Sequence, residues 1–305
     1  MNLAILVVYF LDKRDEQLLD IHLKFIEKYT DVPYTIYAAT NRLLPNLVER
    51  LAQYPQVKIC ELPDTDLRVS LEHAFYIEGL TRAAIKDGAT HLCTLDVDSF
   101  PIRYGWATEL GEAISDDRPV AAILRKENGD EVLTHPSCLF FSHDFYEKYK
   151  PRYFPRPKEI FDPAYWLFFY SHLGECDTGI GFSYILRKNN LNWYRILRSN
   201  RYEDHYIMGG IYGDMIFHLG ASSRGIKIFK LDRKNVKLPL KLRILHGISK
   251  FLPIPVLRDK LKAYLQHNIY TLLDSQIKKN DAAYVKIRSS LLKNPESYIE
   301  QLTYP

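Results

Sequence analysis

The stretch Leu3 to Phe10, LAILVVYF, constrains this chain more than any other, because eight successive apolar residues rich in β-branched types leave a strand no polar face. Such a run suits a strand covered on both sides, and that happens when helices pack on both faces of a mostly parallel sheet. The following residues supply the covering. Glu16 to Tyr29 places Leu18, Leu19, Ile21, His22, Phe25 and Ile26 at helical spacing, and YTIYAAT then reads as a second strand ending at Asn41. A helix from Leu44 to Tyr54 and a third strand at VKICEL continue the alternation. Strand and helix in strict succession imply an α/β fold with right-handed crossovers.

The next segment, LRVSLEHAFYIEGLTRAAIKDG, carries Leu71, Ala74, Phe75, Ile77, Leu80, Ala84 and Ile85 along one broad stripe, with Gly88 as a stop. That helix delivers the chain into HLCTLDVDSFPI. Asp96 and Asp98 therefore stand at the carboxyl end of a fourth parallel strand, the edge where open α/β sheets bind ligands. The triplet alone is weak: 21 aspartates in 305 residues give about one D-x-D by chance. A twin occurs at Asp64-Thr65-Asp66, between a strand and a helix start, where turn or cap duty explains it.

Downstream, a helix from Trp106 to Ser115 precedes a strand pair, VAAILR and VLTHPSCLFFS, joined by the turn ENGD. Pro151 to Phe169, rich in Pro and aromatics without a clean period, reads as a covering loop. ECDTGIGFSYILRKNNLNWYRI follows as turn, helix and short strand, and Asp214 to Leu219 as a strand with Asp214, Ile216 and His218 on one face.

Charge divides the chain. The net +4 is the sum of −6 over the first 224 residues and +10 from Gly225 onward, where 16 Lys/Arg stand against 6 Asp/Glu. Residues 1–230 are accordingly expected to form the α/β domain and 231–305 a basic helical extension, with Leu257, Leu261, Tyr264 and Leu265 on one face and Arg258, Lys260 and Lys262 on others. The extension reads either as a solvated helical cap or as a segment drawn to an anionic membrane surface.

No apolar run reaches the roughly 18 residues that span a bilayer, and LAILVVYF lacks a basic leader, so a cytoplasmic protein is expected, with peripheral attachment to the inner membrane face as the option the basic tail opens. Cys60, Cys93, Cys138 and Cys176 form no C-x-x-C pair, which argues against a zinc knot or disulfide framework.

A carboxylate pair at a strand end offers hard oxygen donors for Mg²⁺ or Mn²⁺, whose shells are commonly completed by phosphates. Capping of the turn before Pro101 is the competing reading. His218 is either a satisfied core histidine or a further metal ligand, and Asp177 either an N-cap or a general base. His135-Pro136-Ser137 interrupts an apolar strand with polar groups, and Ser222-Ser223-Arg224 offers hydroxyls and a cation to phosphate oxygens.

In order, LAILVVYF, EHAFYIEGLTRAAI, HLCTLDVDSFPI, THPSCLFFS, ECDTGIGFSYILRKNN and FHLGASSR resemble the glycosyltransferases of the GT-A fold, close to the family-2-like group, over Leu3 to Arg224. The resemblance implies a GT-A, Rossmann-like sheet and an inverting transfer from a UDP- or GDP-sugar to the hydroxyl of a glycan or lipid-linked acceptor, as in polysaccharide synthesis, with no nucleic acid involved. It implies that Asp98 and His218 hold Mn²⁺ or Mg²⁺, that Asp96 contacts the donor, that Asp177 is the base, and that Val8, Tyr9, Ala39 and Asn41 frame the nucleotide. Cys176 stands where the family pattern has Glu, and the second strand ends in Thr-Asn instead of an acidic cluster; Glu175 and Asp204 are alternative bases. The competing classes are a Mg²⁺-dependent phosphohydrolase of the haloacid dehalogenase type, which carries D-x-D on its first strand, and a sugar-nucleotide-binding protein without turnover.

Overall fold

The computed structural model describes residues 1–11, 16–155, 162–172, 177–222, 225–235, 239–242, 244–245 and 255–303. Its centre is β1 (Leu3–Val8), all six residues of which are buried. β1 lies between β2 (Tyr34–Ala39) and β4 (His91–Thr94), parallel to both, and β3 (Val57–Ile59) extends the sheet beyond β2. A helix follows each of the first three strands: α1 (Glu16–Tyr29), α2 (Pro45–Leu51) and α3 (Ser70–Lys86). The alternation read from the sequence is thus present, and the expected mainly parallel α/β sheet with it.

Beyond β4 the sheet changes direction. β7 (His135–Ser142) runs antiparallel to β4, β6 (Val120–Ile123) antiparallel to β7 with a register shift after Ala122, and β8 (Tyr194–Ile196) parallel to β6, giving the order β3-β2-β1-β4-β7-β6-β8. β6 therefore points the same way as β4, and its carboxyl end shares an edge with the end of β4 and the start of β7. At that edge a second, antiparallel sheet is built from β5 (Ser99–Pro101), β10 (Ile216–His218) and β9 (Gly210–Tyr212).

Alternation along β1 turns Ala4, Leu6 and Val8 into a core with Ala74, Ile77 and Leu80 of α3, Phe141 of β7 and Phe182 of α7 (Ile180–Lys188). Each of the Leu, Val, Ile and Phe side chains among them stabilises by about 1.5–3 kcal/mol when fully buried, before the entropy of ordering it. Residues Phe25 of α1 and Phe100 of β5 meet with ring centroids 4.8 Å apart, and α4 (Trp106–Ala113) follows β5. Local chemistry sets the helix ends: Ser142 accepts from Phe145 N at 3.2 Å to open α5 (His143–Tyr149), and Asp162 accepts from Ala164 N at 3.0 Å ahead of Pro163, which opens α6 (Pro163–Ser171).

The structure departs from the sequence reading at several places. Part of the expected Pro151–Phe169 loop is α6, a helix apolar on all sides whose Tyr165 and Phe168 are buried while Trp166 and Leu167 are exposed. With no polar face, its sequence carries no period to read. The expected strand at Asp214 starts at Ile216, because Gly213 and Asp214 both have positive φ and form the β9–β10 turn. On α3 the buried set includes Glu72 and Glu78, which pair with Arg42 and Arg152, whereas Leu71, Phe75 and Ile85 are half-buried.

The chain divides into two compact units, one of residues 1–223 with 288–305 and one of residues 224–287. Within the first, Lys24 pairs with Glu296 at 3.0 Å and Arg201 N donates to Leu302 O at 2.8 Å. In the second, a buried Asn280 donates to Asp232 Oδ2 at 2.9 Å and to Lys227 O at 2.8 Å. Among the described residues no helix is long and apolar enough to cross a membrane.

Candidate functional site

At the carboxyl end of β4 the chain runs through Leu95 and turns directly into β5, so Asp96 and Asp98 are displayed between the two sheets. Hydrogen bonds tie this corner down: Ser99 N donates to Asp96 O and Leu219 N to Asp98 O, each at 2.9 Å, and Thr94 Oγ1 donates to Pro136 O at 2.6 Å. β10, paired with β5 through His218 and Ser99, brings in the histidine. One ligand atom each of Asp96, Asp98 and His218 then lies within 4.8 Å of the others. His218 Nε2 is 3.6 Å from Asp98 Oδ1 and 3.9 Å from Asp96 Oδ2.

Their surroundings bear on both turn-capping and ion-binding. Neither carboxylate accepts a hydrogen bond from a backbone N–H among the described residues, although the Asp98 side chain is only 5% exposed. A further acceptor converges from α3. Thr178 spends its hydroxyl proton on Ser70 O at 3.2 Å, so the 3.2 Å contact of His73 Nδ1 with Thr178 Oγ1 makes Nδ1 the protonated nitrogen of His73. His73 Nε2 therefore presents a lone pair to Asp96 Oδ1, 3.6 Å away.

Lone pairs facing one another call for a proton or a cation between them. Burial, with Asp98 and then Asp177 adding to it, holds the Asp96 carboxyl well above the usual carboxylate range, and Arg125 draws it partly back. Burial also lowers His73 to about 4 against the opposing pull of Asp177. Two carboxylates and an imidazole are a donor set that fits Mn²⁺ or Mg²⁺. The twin Asp64 is exposed and accepts from Asn41 Nδ2 at 3.0 Å, a turn contact.

Asp177 precedes α7, but Gly179 is the cap position and no side chain caps that helix. Asp177 Oδ1 instead accepts from Ser70 Oγ at 2.7 Å and from Thr178 N at 2.8 Å, while Oδ2 has no partner among the described residues. The glycine is required by close approach: a Cβ on Gly179, whose φ is +105°, would lie 1.9 Å from Thr134 O. His135 receives Ser137 Oγ at 2.7 Å on Nδ1, and its ring lies 5.5 Å from that of His218.

The other residues expected at the site are placed differently from one another. Val8 and Ala39 end β1 and β2 and are buried, and Asn41 is exposed, donating to Leu62 O at 2.9 Å. Tyr9 is wholly buried with its ring edge-on to His22. Asp204 accepts from Tyr298 OH at 3.3 Å. Glu175, Cys176, Ser223 and Arg224 lie outside the described residues.

The sequence reading missed Ser70, His73 and Arg125. Ser70 and His73 carried a signal, three residues apart on one face at the start of α3. Arg125 follows β6; it is buried, its Nε is 3.6 Å from Asp130 Oδ2, and that nitrogen has no hydrogen-bond acceptor among the described residues.

No family model and no curated protein matches the chain. Among solved structures it is similar to the glycosyltransferase GlyE of Streptococcus pneumoniae TIGR4, at 15% identity over 63% of this chain and 44% of that one, with a TM-score of 0.39. It is also similar to an active-site mutant of LgtC, at 10% identity over 64% of this chain and 72% of that one, TM-score 0.38. S. aureus TarS 1-349 aligns at 11% identity over 95% of this chain and 92% of that one, TM-score 0.42. The chain spans less than half the length of the GlyE chain that it matches.

Proposed function

We propose that the protein is a metal-dependent GT-A-type glycosyltransferase that moves a sugar from a UDP- or GDP-sugar to an acceptor hydroxyl with inversion. The observation that carries the reading is the convergence of Asp96, Asp98 and His218 at the carboxyl edge of the sheet, the two carboxylates accepting from no backbone N–H among the described residues, beside a carboxylate oxygen of Asp177 that has no partner among the described residues. In this reading Asp98 and His218 would hold Mn²⁺ or Mg²⁺, Asp96 contacts the donor, and Val8, Tyr9, Ala39 and Asn41 frame the nucleotide. The ion, when bound, supplies positive charge to the oxygens of the departing diphosphate.

The protein groups do the rest. Asp177 Oδ2 takes the proton from the acceptor hydroxyl as that oxygen bonds to the anomeric carbon, and the broken C–O bond's electron pair leaves with the nucleoside diphosphate. Residues 1–230 contain all of these groups. Residues 231–305 are read as a basic extension that meets an anionic membrane face from the cytoplasmic side, where a lipid-linked or glycan acceptor would be presented.

Two measurements test the roles. Asp177→Asn should retain donor binding while releasing nucleoside diphosphate at least about 100-fold more slowly; full transfer activity in that variant removes Asp177 as base. The tail should co-sediment with phosphatidylserine-containing liposomes at low salt and be released at high salt, and no low-salt binding removes the membrane reading.

A further inference from the structure

We propose that the first turn of α3 orients the catalytic base: Ser70 and His73 are positioning residues that fix Asp177 relative to Asp96 and leave Asp177 Oδ2 as its one reactive edge. The inference rests on the glycosyl-transfer reading above and adds the residues that make Asp177 directional.

The contacts form a closed set. Ser70 Oγ and Thr178 N both donate to Asp177 Oδ1, at 2.7 and 2.8 Å. Two donors on one oxygen fix the rotation of the carboxylate and turn the lone pairs of Oδ2 elsewhere. Thr178 Oγ1 donates to Ser70 O and accepts from His73 Nδ1, both at 3.2 Å, and the opposite edge of the His73 ring faces Asp96 Oδ1 at 3.6 Å. Asp177-Thr178 is thereby attached to α3 by three side-chain hydrogen bonds, while α7, the helix it precedes, has no side-chain cap.

Backbone strain marks the same turn. Val69, immediately before Ser70, has φ +56° and ψ −129° although it is β-branched and 82% exposed. A β-branched residue avoids that region, and such strain persists where surrounding contacts over-determine the backbone. Packing of an exposed side chain cannot supply the constraint. The hydrogen bonds of Ser70 can.

The test uses the full chain with Mn²⁺ and four donors, UDP-glucose, UDP-galactose, UDP-N-acetylglucosamine and GDP-mannose, with water as acceptor and release of UDP or GDP as readout. On the donor that wild type uses, Ser70→Ala should lower kcat by about 10–100-fold, with the Kd for UDP or GDP plus Mn²⁺ unchanged within about twofold. Ser70→Thr, which keeps the hydroxyl, should restore most of the rate. In an Asp177→Asn background Ser70→Ala should cost nothing further, since the group it positions is gone. Full kcat in Ser70→Ala, loss of nucleotide affinity alongside kcat, or an undiminished loss in the double variant would each overturn the positioning role while leaving the transferase reading standing. A wild-type chain that neither binds nor cleaves any of the four donors overturns the transferase reading, and this inference with it.

Discussion

Replacing Asp98 by Asn should make the metal-free protein more stable and the metal-loaded protein relatively less so. The three candidate ligand atoms lie within 4.8 Å of one another. Two carboxylate charges at that separation repel by about 3.5 kcal/mol at an effective dielectric constant near 20. Side-chain exposures of 23% at Asp96 and 5% at Asp98 leave water little room to screen them. Asp96 escapes part of the cost by holding a proton, which is the sense of its raised pKa. A gain of about 1–3 kcal/mol for Asp98→Asn in EDTA at pH 8 follows, or roughly 2–6 °C in Tm for a chain of this size. The sign with pH is fixed as well. A carboxyl raised above its unfolded value costs stability once pH exceeds the ordinary carboxylate range, so the advantage of Asn should shrink as pH falls toward 4. With Mn²⁺ at 100 times its Kd, wild type gains about 2.7 kcal/mol and the variant essentially none. Thermal unfolding in EDTA and in Mn²⁺ measures all of this. An Asp98→Asn protein destabilised in EDTA would instead make Asp98 a structural cap.

Gly179→Ala should destabilise by roughly 2–5 kcal/mol in urea unfolding, combining a left-handed backbone with a Cβ driven into Thr134 O; near-wild-type stability would contradict the close approach. Val69→Gly should stabilise by about 1 kcal/mol, because glycine adopts the observed φ and ψ without strain, and a loss in Tm would show that the region is not strained. His22 is buried and held to about 4 by desolvation, against the opposing effects of its hydrogen bond to Ser99 O and the charge of Asp98. The unfolded chain therefore binds its proton first, and a stabilisation of order 3 kcal/mol, complete above pH 6.5, is lost as pH falls to about 4. Urea unfolding of His22→Leu should show a correspondingly shallower acid limb, and an unchanged limb would exclude His22 as its source.

The parallel half of the sheet was legible because it is written in local pattern: LAILVVYF is apolar without interruption, and α1 follows it at a period of 3.6. The reversal at β7 was not, since VAAILR and VLTHPSCLFFS fix that pair's mutual sense and nothing in them fixes which way it joins β4. Asp96, Asp98 and His218 could be nominated from strand ends and order along the chain. Their meeting depends on β10 pairing with β5, a contact between residues 99 and 218 that no local pattern encodes. Ser70 and His73 were hidden for a similar reason. A Ser and a His in the first turn of an amphipathic helix read as surface residues until the segment at 177–178 is brought against them.

Calorimetric titration of the full chain with UDP- and GDP-sugars, once with Mn²⁺ and once with EDTA, shows whether Asp98 carries metal-dependent binding of a sugar nucleotide. Binding of at least one sugar nucleotide in Mn²⁺, lost in EDTA and lost again in Asp98→Ala, is the predicted result. Absence of binding to every sugar nucleotide, or binding that survives both EDTA and Asp98→Ala, would contradict it.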